Sequence, residues 1–214
     1  MQMFKFYFKS IFYLSIAVGV SSAIAGSYED FFAAITRDDP AAVSALLGRG
    51  FDANSRDPQG QTGLFLALRG GSLKAAEALW ESPSLELNAL NETDESALMI
   101  AALKGRLDWC HRLLERGAAV NKSGWSPLHY AATGPEPAVV KLLLERGAAV
   151  DAESPNRSTP LMMASRYGDE ASVDLLLARG ADPRRANDQK LKAADFARLA
   201  GRAALAVRLD ALSR

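Results

Sequence analysis

"GWSPLHYAA", residues 124–132, carries the reading from which the fold follows. Ser126-Pro127-Leu128-His129 has the order of a helix start. A serine can cap a helix by accepting a bond from a free backbone N–H. A proline fits the first helical position, where its missing N–H loses nothing. Leu128 then falls on the inward face. Aligning the chain on Leu128 exposes a column: Phe31, Leu64, Leu98, Leu128, Leu161 and Ala194. Three residues later stand Ala34, Ala67, Ala101, Ala131, Ala164 and Ala197. Both columns step by 33, 34, 30, 33 and 33 residues, and self-similarity at such a period marks a repeat architecture.

The second half of each unit has columns of its own. Val43, Ala76, Cys110, Val140, Val173 and Ala206 form one; Leu46, Leu79, Leu113, Leu143, Leu176 and Leu209 form the next. Beside the leucines lie Leu47, Trp80, Leu114, Leu144, Leu177 and Asp210. Apolar residues at i, i+3 and i+4 make one helix face. Each unit therefore reads as two short antiparallel helices, with Gly71, Gly105 and Gly168 at the turn between them. Gly50, Gly117, Gly147 and Gly180 close the second helix in the left-handed conformation that glycine adopts freely. An extended polar stretch, a finger, leads to the next unit.

"SPLHYAA", "TPLMMAS" and "VVKLLLERGAAVDA" in this register resemble the ankyrin repeat, over about Tyr28 to Ser213. The resemblance implies an all-α solenoid of about six helix pairs joined by finger loops. Four are fuller internal repeats and two are capping units, starting near residues 28, 60, 94, 124, 157 and 190. It implies that His129 ties neighbouring loops by hydrogen bonds. Phe65, Met99 and Met162 stand at the same position and are expected to replace it by packing. The Ala-rich, charged segment after Lys192, with Asp210 in place of an inward residue, reads as a polar C-terminal cap.

The resemblance also implies a binding surface made by the fingers and the exposed side of the first helices, lining a concave groove. Carried over position by position, that surface holds Pro58, Gln59, Gln61 and Arg69; Glu92, Thr93, Glu95, Leu103 and Lys104; Trp125 and Thr133; and Asn156, Ser158, Arg166 and Tyr167. Interface hot spots favour Trp, Tyr and Arg, which singles out Trp125, Arg166 and Tyr167 as expected neighbours. From Gly50 to Thr62, Gly147 to Thr159 and Gly180 to Lys192 the spacing is twelve residues; from Gly117 to Ser126 it is nine. The loss falls in "AAVNKSGW", so finger four is expected to be a stub beside a notch, with Trp125 on its floor. Trp125 is then either a binding anchor or a cover for apolar surface bared by the short loop.

Chemistry finds little footing. The chain has two histidines and one cysteine, and none of the metal-binding, nucleophile-elbow or phosphate-loop motifs. Neither a cofactor nor a metal is expected, and the reading is not an enzyme. Cys110 and His111 are adjacent, but helical neighbours point about 100° apart. Cys110 also sits in a core column, so a buried thiol competes with a redox one.

The chain has 214 residues, 23% of them charged, enough for a sizeable core. Residues 1–25 stand apart: Lys5 and Lys9, a short apolar run, and Ala23-Ile24-Ala25 before Gly26 read as a secretory signal, with an uncleaved anchor as the alternative. The expected organisation is a signal at 1–25 and one domain at 26–214. Without Lys5 and Lys9, 23 basic residues face 25 acidic ones, a net of −2. That balance gives no reason to expect nucleic acid or an anionic membrane. The expected product is a monomeric periplasmic module that binds one protein partner. Exported relatives of this kind suggest two settings, peroxide defence and toxin immunity.

Overall fold

The computed structural model describes residues 26–213, so the signal reading of residues 1–25 lies outside them. Twelve helices are found among the described residues, in six pairs. The residues group into two units: 26–58 with 62–85, and 59–61 with 86–213.

The first unit holds α1 (residues 26–36), α2 (Pro40–Gly48), α3 (Gly63–Gly70) and α4 (Leu73–Trp80). Phe31, Val43, Leu46, Leu64, Ala67, Ala76 and Leu79 are buried as the columns require. The second unit holds α5 (Ala97–Leu103), α6 (Leu107–Glu115), α7 (Pro127–Thr133), α8 (Pro137–Glu145), α9 (Pro160–Tyr167), α10 (Glu170–Ala178), α11 (Ala193–Leu199) and α12 (Ala203–Leu212). First helices stack on first helices, α5 on α7, α7 on α9 and α9 on α11; α8 packs between α6 and α10. Leu98, Cys110, Leu113, Leu128, Val140, Leu143, Leu161, Val173, Leu176 and Leu209 are closed off by this stacking. Of the third column, only Leu144 is fully buried, while Leu47, Leu114 and Leu177 are half-buried.

The glycines separate into two physical kinds. Gly50, Gly117, Gly147 and Gly180 have φ of 87°, 97°, 85° and 86°, the left-handed helix closure. Gly71 and Gly105 are left-handed turns as well, at 84° and 64°. Gly168 is not: its φ of −88° suits any residue. It is glycine because a Cβ there would strike the carbonyl oxygen of Ala132 in the preceding repeat. Gly134 answers the same need, since its Cβ would lie 2.9 Å from the carbonyl oxygens of Ala102 and Leu103.

At the first-helix starts, the fourth position of the motif does more than pack. The thioether sulphurs of Met99 and Met162 each lie 3.4 Å from a backbone N–H, of Ser96 and Thr159 respectively, as weak acceptors. Asp195 Oδ2 accepts from the Lys192 N–H at 2.8 Å. At Phe65 the buried ring offers the cap no lone pair and acts by packing. The C-terminal unit also departs from the polar cap expected of it: Leu199, Val207 and Leu212 are 58%, 69% and 52% exposed. They stand 33 residues after Arg166, Asp174 and Arg179, positions that face outward in the preceding repeat and carry no packing constraint.

Candidate functional site

A full finger in the second unit is a short hairpin. In finger three the Asn91 N–H donates to the Glu95 carbonyl at 3.0 Å; in finger five Ser154 donates to Ser158 at 3.0 Å; in finger six Asn187 donates to Leu191 at 3.0 Å. Two residues before each helix cap the chain turns through a left-handed residue: Asp94 (φ 65°), Arg157 (61°) and Lys190 (61°). Fingertips are also stitched to each other. Glu92 N–H donates to the Gln59 carbonyl at 3.3 Å, and Asp188 N–H to the Asn156 carbonyl at 3.1 Å.

Finger four keeps the ends of this plan and loses its stem. Asn121 still clamps the next repeat, its amide donating to the Gly147 carbonyl at 2.9 Å and its Oδ1 accepting from Ala149 N–H at 2.9 Å. Asn88 does the same one repeat earlier, toward Gly117 and Ala119. Gly124, at φ 73°, still makes the turn. Between clamp and cap, however, lie five residue steps instead of the eight from Asn88 to Ser96 or from Asp151 to Thr159. Lys122 takes over from the lost stem. Its ammonium donates to the Trp125 carbonyl at 3.2 Å, where a hairpin would supply a backbone N–H, to the Ser123 carbonyl at 2.9 Å, and to the Asp94 carboxylate. All three ammonium protons have acceptors, and the side chain is only 16% exposed. On the far side stands Pro155, which has no N–H with which to stitch its fingertip to finger four.

The stub opens a cleft of about 310 Å³ lined by Glu95, Leu103, Trp125, His129, Tyr130, Thr133 and Met163. His129 forms part of its floor. The Ser126 N–H donates to its Nδ1 at 3.1 Å, so the proton is on Nε2, which donates to the Ser158 carbonyl at 2.9 Å. The loop-to-loop tie expected of this histidine is therefore present. Burial pushes its pKa down to about 4, against the opposing pull of the carbonyl bonds. The Trp125 ring stands edge-to-face on His129, with centroids 5.2 Å apart. The Tyr130 hydroxyl donates to Glu95 Oε1 at 2.7 Å. Thr133 Oγ1 turns back to the His129 carbonyl at 2.9 Å.

Of the residues singled out in the sequence, Trp125 and Thr133 come together in this cleft. Lys104 is exposed at the end of α5, next to the lining residue Leu103. Arg166 and Tyr167 make a separate pair at the end of α9, the guanidinium 5.1 Å from the ring centroid and Tyr167 54% exposed. The cleft meets α9 at Met163, and neither Arg166 nor Tyr167 is among its lining residues. Arg69 lies in the first unit, exposed on the last turn of α3 and 5.7 Å over the Phe65 ring. Ser158 and Gln61, expected on the surface, are 1% and 9% exposed; the Ser158 carbonyl is occupied by His129 and Ser154. Lys122, Tyr130 and Met163 were not legible as site residues. Only the missing finger stem hinted that some side chain must replace its donors.

Cys110 is fully buried and its thiol is pushed up to about 12 by burial, the opposite of a reactive thiolate. Among the described residues no cluster of His, Cys, Asp and Glu suits a metal, and no helix is long and apolar enough to cross a membrane.

Comparison with known proteins agrees with the columns and the paired helices. A family model described as ankyrin repeats (three copies) matches residues 31–123 and 117–187. The Notch protein of Drosophila melanogaster is 33% identical over 150 residues, 61% of this chain and 6% of Notch. The B-cell lymphoma 3 protein homolog of Mus musculus is 35% identical over 150 residues, 67% of this chain and 34% of that protein. The chain thus spans far less than two thirds of these relatives' length. Among solved structures, a chain from the complex of the Bd0816 predatory endopeptidase from Bdellovibrio bacteriovorus with immunity protein Bd3460 is similar at a TM-score of 0.70 and 26% identity, covering 84% of this chain and 97% of that one. Repeats of this kind are generally interaction modules without catalytic machinery. The repeating columns, the helix pairs and the family match agree, and the chain belongs to the ankyrin-repeat family.

Proposed function

We propose that this chain is an exported, non-catalytic binding protein that holds one protein partner in the periplasm, with the cleft at finger four as its anchor point. The observation that carries the reading is the cleft itself. A core does not need a missing finger stem, and here the deletion leaves every packing column of α7 and α8 closed while a half-buried tryptophan stands in the opening. Aromatic anchors set in a pocket are where binding energy concentrates. The test uses the processed protein as bait in periplasmic extract. Trp125→Ala is expected to weaken capture of the recovered protein by at least about 2 kcal/mol with the melting temperature unchanged. A lowered melting temperature with intact affinity would mean that Trp125 only packs, and would sink the reading.

A second reading is immunity against an exported peptidase. It draws on the likeness to a chain from an endopeptidase–immunity protein complex, whose length this chain matches almost fully. Purified processed protein should then inhibit a peptidase of its own cell at near-stoichiometric amounts. Undiminished peptidase activity at excess would leave only the general binding role.

A further inference from the structure

We infer that the cleft at finger four receives a large apolar side chain of the protein partner, of phenylalanine size, carried on an extended segment with an acidic residue to either side. This rests on the binding role proposed above and names the chemistry that role would use. Four of the seven lining side chains are apolar or aromatic: Leu103, Trp125, Tyr130 and Met163. The polar ones are already engaged inside the protein. Glu95 accepts from Tyr130 Oη at 2.7 Å, from Asn91 Nδ2 at 3.0 Å and from Thr93 Oγ1 at 2.8 Å. His129 uses Nδ1 toward the Ser126 N–H and Nε2 toward the Ser158 carbonyl. Thr133 Oγ1 donates to the His129 carbonyl. Filling the cleft with an apolar group therefore orphans no hydrogen-bonding side chain. The two rings and the thioether favour an aromatic occupant.

The acidic flanks follow from the rim. Leu103, Thr133 and Arg166 form a row one turn beyond Ile100, Tyr130 and Met163, toward the C-terminal ends of α5, α7 and α9. Lys104 stands at one end of this row and Arg166 at the other. Among the described residues neither has a carboxylate within ion-pair distance: Lys104 is exposed, and the Arg166 guanidinium lies over the Tyr167 ring. Two positive charges thus flank the cleft without an ion pair. The helices α5, α7 and α9 stack in that order, and neighbouring axes lie about 8–10 Å apart, so these charges are rooted roughly 20 Å from each other. In an extended chain residues i−2, i and i+2 share one face, and the outer two are about 13 Å apart. With residue i in the cleft, acidic side chains at i−2 and i+2 reach the long side chains of Lys104 and Arg166. Basic flanks would meet like charge. Glu92 stands exposed on fingertip three, which directs the acidic segment along the helix ends instead of over the fingers.

The probes are capped peptides titrated at low salt into the processed protein and followed by NMR at the Trp125 indole and the Met163 methyl. The first is acetyl-Glu-Ser-Phe-Ser-Glu-amide. The others replace both Glu by Gln, both Glu by Lys, or Phe by Ser. The first peptide is expected to shift both signals. It should bind at least about threefold more tightly than the Gln peptide and about tenfold more tightly than the peptide without Phe. The Lys peptide should be the weakest of those that keep Phe. In the double variant Lys104→Gln, Arg166→Gln, whose changes lie outside the core, the Glu and Gln peptides are expected to bind equally at an unchanged melting temperature. Binding that ignores Phe, equal binding of the Glu and Gln peptides to the wild type, a preference that survives in the double variant, a response only outside the cleft, or no response overturns the inference. Trp125-dependent capture of a protein alongside silent peptides defeats this inference alone. A responding peptide with no protein captured defeats the binding role and leaves the cleft chemistry standing.

Discussion

His129 couples three neighbours through one imidazole: the Ser126 N–H, the Ser158 carbonyl and the Trp125 ring. Its Nδ1 is an acceptor, so protonation there would set one donor against another. The folded-state value of about 4 lies below the ordinary 6.5. The unfolded chain therefore binds the extra proton first as pH falls. The stabilising effect of neutral His129 is complete above pH 6.5, declines between 6.5 and about 4, and changes no further below that. The loss across that window is on the order of 3 kcal/mol. Urea unfolding at a series of pH values is expected to show this slope in the native protein and to lack it in His129→Gln. A flat native profile between pH 4 and 6.5 would contradict the assignment. At this scale sequence reading is uneven. The histidine's tie could be named in advance from its place in the motif. The role of Lys122 could not, because a lysine in a polar loop looks like solvated surface until the acceptors around it are known. Ser158 failed for a related reason: a serine at a variable surface position gives no sign that its carbonyl is the histidine's partner.

At the scale of the element, the helices and their order were legible because burial imposes a period. Leu128 and Leu161 are both fully buried and stand 33 residues apart. What a period cannot separate is two glycines required for different reasons. Gly180 is left-handed and faces open space, so Gly180→Ala meets only backbone strain, about 1 kcal/mol. Gly168→Ala drives a methyl into the Ala132 carbonyl and against the Ala164 Cα. Since both obstacles are backbone, α7 and α9 must separate, at about 3 kcal/mol. The expected order of unfolding midpoints is wild type, then Gly180→Ala, then Gly168→Ala well below. Equal losses would mean that the turn at Gly168 relaxes freely. The finger hairpins show the same limit of sequence reading. Their spacing revealed a deletion in finger four, but the survival of the Asn121 clamp and the Gly124 turn, and so the place of the cut, needed the backbone.

For the whole molecule, the one cysteine is buried and unpaired, so no internal disulfide holds the fold together. The stacked columns carry that load in each unit. Periplasmic residence is our proposal, drawn from Lys5, Lys9 and the Ala23-Ile24-Ala25 pattern. N-terminal sequencing of protein isolated from its cells is expected to begin at Gly26. Recovery of only the full-length chain from the cytosol would rule it out. What remained illegible at this scale was the outer surface of the last unit. Columns constrain what faces inward, and nothing in them forbids Leu199, Val207 and Leu212 from facing out.

The cleft exists because the backbone is three residues shorter there, with Lys122 closing the gap that remains. In the gene, that is an in-frame loss of three codons. Inheritance can therefore open or shut this cleft by changing length alone, with every side chain of the lining left as it was. Diversification among such chains would then show first as insertions and deletions between the Asn121 clamp and the Ser126 cap, a kind of variation that a tally of substitutions passes over.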